Sequence, residues 1–238
     1  MDDLNYFKYC FLKEHEEISF NETRLDVDFQ RLAKYILEAP SDFFMYRDFQ
    51  SRNIMIVDNE PYFIDYQGGR KGPLQYDVVS LLYQVKAKMP QELRDELIDY
   101  YKQQLSKSCR DARPCVSTSD FVKYFPAFVL LRLLQVLGAY GFRGLIQKKL
   151  HFMQSIPYAL REIMNVNEKW PLPFELPELQ AVIKQFDVLL AKYENVEPER
   201  LTITVNSFSF KNGGVPYDKS GNGGGFVFEI EIGRAGQQ

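Results

Sequence analysis

Imidazole and thiol are the scarcest chemistry in this chain, which holds two histidines, His15 and His151, and three cysteines, Cys10, Cys109 and Cys115. The cysteines are odd in number and lack CxxC spacing, and the imidazoles are too few to complete a ligand set. A zinc site and a disulfide framework are therefore set aside in favour of buried or incidental thiols in a reducing compartment. A formal net charge of −3 leaves no chain-wide basic footprint for nucleic acid. The opening text, MDDLNYFKYCFLKEHEE, lacks the basic-then-apolar order of a secretory signal and points to a cytoplasmic protein. Neither GxGxxG nor GxxxxGK[ST] occurs, so Gly68, Gly69 and Gly72 read as backbone turns rather than a phosphate cradle. Long apolar text is confined to FVKYFPAFVLLRLLQVLGAYGF, residues 121–142. Lys123, Pro126, Arg132 and Gln135 interrupt it and no comparable segment accompanies it. It reads as the buried helix at the centre of a large helical domain rather than a membrane span.

What is present is enough apolar text, 45% of 238 residues, to bury a sizeable core. Residues 1–39 read as helical, with Leu32, Ala33, Tyr35, Ile36 and Leu37 at turn-like spacing before Pro40. Ile54, Met55, Ile56 and Val57 read as a strand. Asp58, Asn59, Glu60 and Pro61 form a turn, and Tyr62, Phe63 and Ile64 a second strand. A loop over residues 68–73 precedes an apolar helix over residues 76–83. Residues 90–105 form an amphipathic helix with Leu93, Leu97, Tyr100, Tyr101 and Leu105 on its apolar side. After the buried helix and a further one through Met164, a proline-rich connector at residues 170–177 leads to a last helix over residues 178–193. Alternating strands follow in the tail, at residues 201–205 and 226–232, and a boundary near Pro198 divides the chain into residues 1–197 and 198–238.

The stretch MYRDFQSRNIMIVDNEPYFIDYQGG delivers Asp48, Asn53 and Asp65 into polar turns around the hairpin. An isolated D-x-x-x-x-N is common as a turn or helix cap. Pairing of the two strands, however, brings the loop before the first and the turn after the second to one edge, where three oxygen-bearing side chains converge. Phosphoryl transfer asks for such a set: a carboxylate beside the attacking hydroxyl and hard oxygen ligands for magnesium on the nucleotide.

Residues 45–56, with FIDYQGGRKGPLQYDVVSLL, resemble the aminoglycoside phosphotransferase and choline kinase superfamily. Within it, the branch of bacterial anomeric kinases of N-acetylmuramate and N-acetylglucosamine is most similar, through its R-D-F-x-S-R-N loop, I-D-F-Q and G-P-x-x-Y-D-L. Arg132-Leu133-Leu134-Gln135-Val136-Leu137-Gly138 is also similar to a helix of that branch. The resemblance covers roughly residues 1–190 and implies an α+β fold of the protein kinase-like C-terminal lobe: mainly helical, with a small catalytic-loop hairpin and, here, a short C-terminal β segment. It implies ATP and Mg2+ as cofactors and a small amino sugar as acceptor. Asp48 is then the catalytic base, Asn53 and Asp65 are the metal ligands, and Asp77 is a brace for the loop. Gln50 stands where protein kinases carry lysine. Gln50 and Arg52 are the candidate contacts to the nucleotide, and Tyr46 replaces the usual histidine.

The family's N-terminal lobe of strands, with its glycine-rich cover and lysine, has no counterpart in the text before Asp48. Two expectations follow: a piece of a longer kinase, or a kinase-derived regulatory protein without catalysis. Exposed apolar surface where such a lobe would sit predicts self-association. In the tail, ITVNSFSFKNG followed by FVFEI resembles the opening of the RapZ-type C-terminal domain of bacterial RNase-adaptor proteins. That resemblance implies sugar-phosphate or RNA sensing, with Lys211 the residue to test for anion contact. Glu229 stands there in place of the usual aspartate and Glu231 in place of the customary arginine.

Overall fold

The computed structural model of the protein describes residues 1–108, 117–194, 203–210 and 226–232; Cys109, Cys115 and Lys211 lie outside the described residues. The chain divides into two compact units, Met1–Glu197 and Pro198–Gln238.

In the first unit, helix α1 (Asp2–Cys10) is followed by a 3₁₀ turn and by α2 (Glu22–Leu37). The side chain of Asn21 caps α2 by accepting from the Arg24 N–H at 3.0 Å. The expected continuous helical text before Pro40 is thus two helices. The break is held by His15, whose Nδ1 faces the Phe11 carbonyl and whose Nε2 faces the Tyr193 hydroxyl, each at 2.6 Å. A carbonyl only accepts, so Nδ1 carries the proton and Nε2 accepts from tyrosine.

Four short strands come next: β1 (Phe43–Met45), β2 (Ile54–Val57), β3 (Glu60–Phe63) and β4 (Arg70–Gly72). β2 and β3 pair antiparallel from Ile54↔Phe63 to Val57↔Glu60. The turn is shorter than the sequence suggests. Asp58 and Asn59 both adopt left-handed backbone, φ 52° and 63°, the geometry of a two-residue turn whose twist suits a hairpin, so Glu60 and Pro61 join the strand. Pro61 is tolerated because this ribbon has only two strands and leaves an edge unpaired. The residues expected as a plain loop also contain a strand: β4 pairs with β1, Phe43↔Gly72 to Met45↔Arg70.

Helix α3 (Leu74–Leu82) leads to α4 (Gln91–Ser108), where the expected apolar face is rotated. Arg94 and Ile98 are buried, while Leu93, Leu97 and Tyr100 are exposed. The cause is a charged residue taking a core position. Arg94 makes a two-pronged bond to Glu162, its Nη2 donating to Oε2 at 3.1 Å, and its guanidinium lies 4.7 Å from the Tyr83 ring centre.

Helix α5 (Thr118–Tyr140) is capped by Ser117, which accepts from the Asp120 N–H at 3.0 Å, and runs on as a π-helical stretch, Gly141–Ile146. Together they are long and apolar enough to cross a membrane. Here, though, Phe121, Leu133 and Leu137 are fully buried, with α1, α2, α3 and α4 packed around the helix. α1 crosses closely enough that a Cβ on Gly141 would lie 1.9 Å from the Cys10 carbonyl oxygen. α6 (Leu150–Met153) and α7 (Ile156–Lys169) follow, and α7 also packs on α5. The expected last helix is broken into α8 (Pro177–Ile183) and α9 (Phe186–Glu194). At the break, Gln185 trades hydrogen bonds with Ser19: its amide donates to the Ser19 carbonyl at 2.9 Å and accepts from the Ser19 N–H at 2.9 Å.

In the second unit, β5 (Ile203–Phe210) and β6 (Phe226–Ile232) form an antiparallel pair from Ile203↔Ile232 to Phe210↔Phe226, with an irregularity between Thr204 and Ser207.

Candidate active site

The open end of the β2–β3 ribbon gathers the residues that the sequence singles out. Beyond the last pair, Ile54↔Phe63, the Ile64 N–H donates to the Asn53 carbonyl at 3.0 Å, so Asn53 and Asp65 leave the ribbon side by side. Asn53 sits in a 3₁₀ turn closed by its own N–H on the Gln50 carbonyl, and is buried to 6% exposure. Its Nδ2 donates to the Asp48 carbonyl at 2.9 Å. That bond turns the amide nitrogen toward the backbone, using one of its two N–H donors, and leaves Oδ1 as the atom with lone pairs to offer.

The loop is gripped from behind by α3. The two carboxylate oxygens of Asp77 accept from consecutive backbone amides, those of Tyr46 and of Arg47, the latter at 2.9 Å. Arg47 is held at φ 80°, and Asp65 at φ 67°. Such backbone in a non-glycine residue costs about 1–3 kcal/mol and persists only where its surroundings impose it. Here both residues flank Asp48 and Asn53. Burial holds the Asp77 carboxyl above its ordinary value, against the two amides, which draw it down, and with a smaller push from the Asp48 charge. A second clamp holds the loop's far side: the N–H and hydroxyl of Ser51 donate to Gln84 Oε1 at 3.1 and 2.8 Å.

Tyr46 takes the place that the resemblance gives to histidine. Its hydroxyl donates to the Ile64 carbonyl, stitching the loop to the strand that carries Asp65. Lost hydration first, and then the neighbouring Asp65 charge, raise its phenol above the ordinary value, so it stays a protonated donor. Phe49 completes the packing, 5.6 Å from the Tyr46 ring and 5.7 Å from that of Phe63.

A divalent ion would find two hard oxygen donors here, Asn53 Oδ1 and the Asp65 carboxylate, one of whose oxygens accepts from Gln67 Nε2. Among the described residues no group of three His, Cys, Asp or Glu side chains could hold a metal by itself. That donor set fits Mg2+, which keeps most of its shell for water and phosphate oxygens and takes only one or two ligands from protein. The Asn53 side chain is thus joined to the backbone of Asp48, and Asp65 leaves the ribbon beside Asn53. Gln50 is half-buried and Arg52 exposed. Among the described residues, no hydrogen bond or ion pair ties either side chain to that trio. Gln84 was not marked out by sequence reasoning; a lone glutamine just past an apolar helix carries no spacing signal.

Residues 13–115 match the phosphotransferase enzyme family. The matched region contains the whole loop, the ribbon and α3. The chain is also 25% identical over 185 residues to an N-acetylmuramate/N-acetylglucosamine kinase of Neisseria meningitidis serogroup B, covering 76% of this chain and 53% of that protein. It is 25% identical over 154 residues to the N-acetylmuramate/N-acetylglucosamine kinase of Pseudomonas aeruginosa, covering 65% of this chain and 45% of that one. The chain spans about half the length of the curated relatives it matches.

Proposed function

We propose that the phosphotransferase-family region transfers the γ-phosphate of ATP to a hydroxyl of a small amino sugar such as N-acetylmuramate or N-acetylglucosamine. The observation that carries this reading is the double grip of Asp77 on the Tyr46 and Arg47 amides, which fixes Asp48 at the head of a strained loop joined to Asn53. Asp48 would orient the acceptor hydroxyl and take its proton as the oxygen attacks. Mg2+, when bound, would neutralise charge on the nucleotide phosphates, and Asn53 and Asp65 are the residues to hold it. Asp77 and Gln84 do no chemistry in this scheme: they fix the loop so that little reorganisation is left for the reaction itself. Gln50 and Arg52 are the proposed nucleotide contacts, by their place in the loop. The tail is read as the opening of a RapZ-type domain with a sugar-phosphate or RNA ligand.

The test is ADP release with Mg-ATP and either sugar, compared between the unaltered chain and Asp48→Asn. Loss of turnover with an unchanged melting temperature supports the assignment. Equal turnover in the two proteins sinks it. An unaltered chain that binds sugar but turns over neither sugar favours the non-catalytic, regulatory reading.

A further inference from the structure

Two residues beyond Gln84 begins a constellation that the scheme above leaves unused. Past Gln84 the chain makes a 3₁₀ turn, Val85–Ala87, and leaves it at Lys88 with φ 46°. The Lys86 ammonium lies 4.2 Å from the Phe152 ring centre and 5.8 Å from that of Tyr140. The Arg143 guanidinium lies 5.2 Å from the same Phe152 ring. Lys88 stands 4.0 Å from the ring of Tyr158. Phe152 belongs to α6 and Arg143 to the π-helical stretch after α5, a kind of irregularity that recurs at functional sites.

Two cations, Lys86 and Arg143, therefore meet over one aromatic ring, and among the described residues neither is ion-paired. Lys8, Lys13, Arg94, Lys169 and Lys192, by contrast, each reach a carboxylate. Partial burial first, and the Arg143 charge second, hold the Lys86 ammonium below its ordinary value, which is what two uncompensated cations do to each other. Rings under Lys and Arg restrict those side chains while leaving their N–H groups to face a ligand. An anion placed between the two would relieve the repulsion. Position matters as much as charge. Consecutive Cα atoms are about 3.8 Å apart, so the Cα of Lys86 stands within about 8 Å of the Cα of Gln84. Gln84 in turn holds Ser51 of the Asp48 loop.

We infer that Lys86 and Arg143, seated on the Phe152 ring, form an oxyanion subsite, so that the favoured acceptor is an acidic sugar bearing a carboxylate or phosphate rather than a neutral one. Calling the ligand an acceptor rests on the phosphotransferase reading; the anion site itself rests on the cations. Both side chains are exposed, so neutralising them should leave the fold intact, which a thermal melt checks.

Calorimetric titration of the full chain tests the inference with three probes: N-acetylmuramate, which carries a carboxylate, N-acetylglucosamine, which does not, and inorganic phosphate. N-acetylmuramate is expected to bind about ten-fold tighter than N-acetylglucosamine. Lys86→Met and Arg143→Gln should each remove about that factor and leave N-acetylglucosamine unchanged. Phosphate binding abolished by the same substitutions, with no preference between the sugars, supports the subsite with phosphate as its ligand. Equal losses for both sugars, anion binding unchanged in both variants, or no anion binding at all overturns it. The two readings separate cleanly. A chain that turns over neither sugar, yet binds anion through Lys86 and Arg143, loses the phosphotransferase reading and keeps the subsite. Turnover that depends on Asp48 but shows no dependence on either cation does the reverse.

Discussion

Around α5 the side chains of Phe121, Leu133 and Leu137 are sealed by helices, whereas in the β2–β3 ribbon Met55, Ile56, Tyr62 and Phe63 stay between 49% and 66% exposed. The helical body is held by apolar burial at roughly 25 cal/mol per Å2. The loop that carries Asp48 is held by a handful of polar bonds from Asp77, Gln84 and Asn53. The contrast teaches where each property is encoded: shape in the apolar pattern, and site geometry in a few carboxylates and amides whose effect is out of proportion to the area they cover.

The sharpest way to separate the two regions is Asp48→Asn. We expect turnover to fall by about 10²–10⁴-fold, the usual range for a general base, while the thermal midpoint stays put. An equal loss of stability would mean that the carboxylate is a strut. The mirror experiment is Gly141→Ala, whose Cβ would meet the Cys10 carbonyl oxygen at 1.9 Å. A urea titration should show a loss of about 3 kcal/mol, with any residual activity per folded molecule unchanged. Asp77→Ala probes the seam between the regions. It orphans the Tyr46 and Arg47 amides, so about 1–3 kcal/mol of stability and a larger share of turnover should go together.

A smaller effect is expected from pH. Burial holds the His15 imidazole below its ordinary value, flanked by Lys192, which lowers it further, and Glu17, which raises it. In the unfolded chain His15 titrates near pH 6.5. Its neutral, bonded form therefore stabilises the fold fully above that pH, and the stability drains away as pH falls through the lower folded value. Melting temperatures recorded from pH 7.5 to 5 should decline, and His15→Phe should flatten that contribution. Least of all, Ile56→Thr in the exposed ribbon should shift stability by no more than about 0.5 kcal/mol; a larger loss would show that this surface is covered in solution.

The same division explains what could be read from the sequence. The burial of α5 and the strand text of β2 and β3 were legible because each is a run of apolar residues with a period. β4, Arg70–Gly72, was not: three residues with two cations and a glycine carry no alternation, and only pairing with β1 makes them a strand. The rotation of α4 was hidden because Arg94 reads as polar until Glu162 and Tyr83 are in place to receive it. The gap between α8 and α9 depends on Gln185 reaching Ser19, a contact far along the chain that local periodicity does not record. At the site, Asp48, Asn53, Asp65 and Asp77 were legible as a spaced set, and the hydrogen bonds give Asp77 the bracing role expected of it. Gln84 was not legible, since its importance comes from what it touches.

Because Asp77, Gln84 and Asn53 hold the loop, the far tip of the ribbon makes none of the bonds that aim it. Residues inserted between Asp58 and Asn59 would lengthen a free end at an entropic cost of only about 0.6 kcal/mol per doubling. Lineages of this architecture are free to grow a new appendage there, a specificity arm or a docking finger, without disturbing the reacting centre.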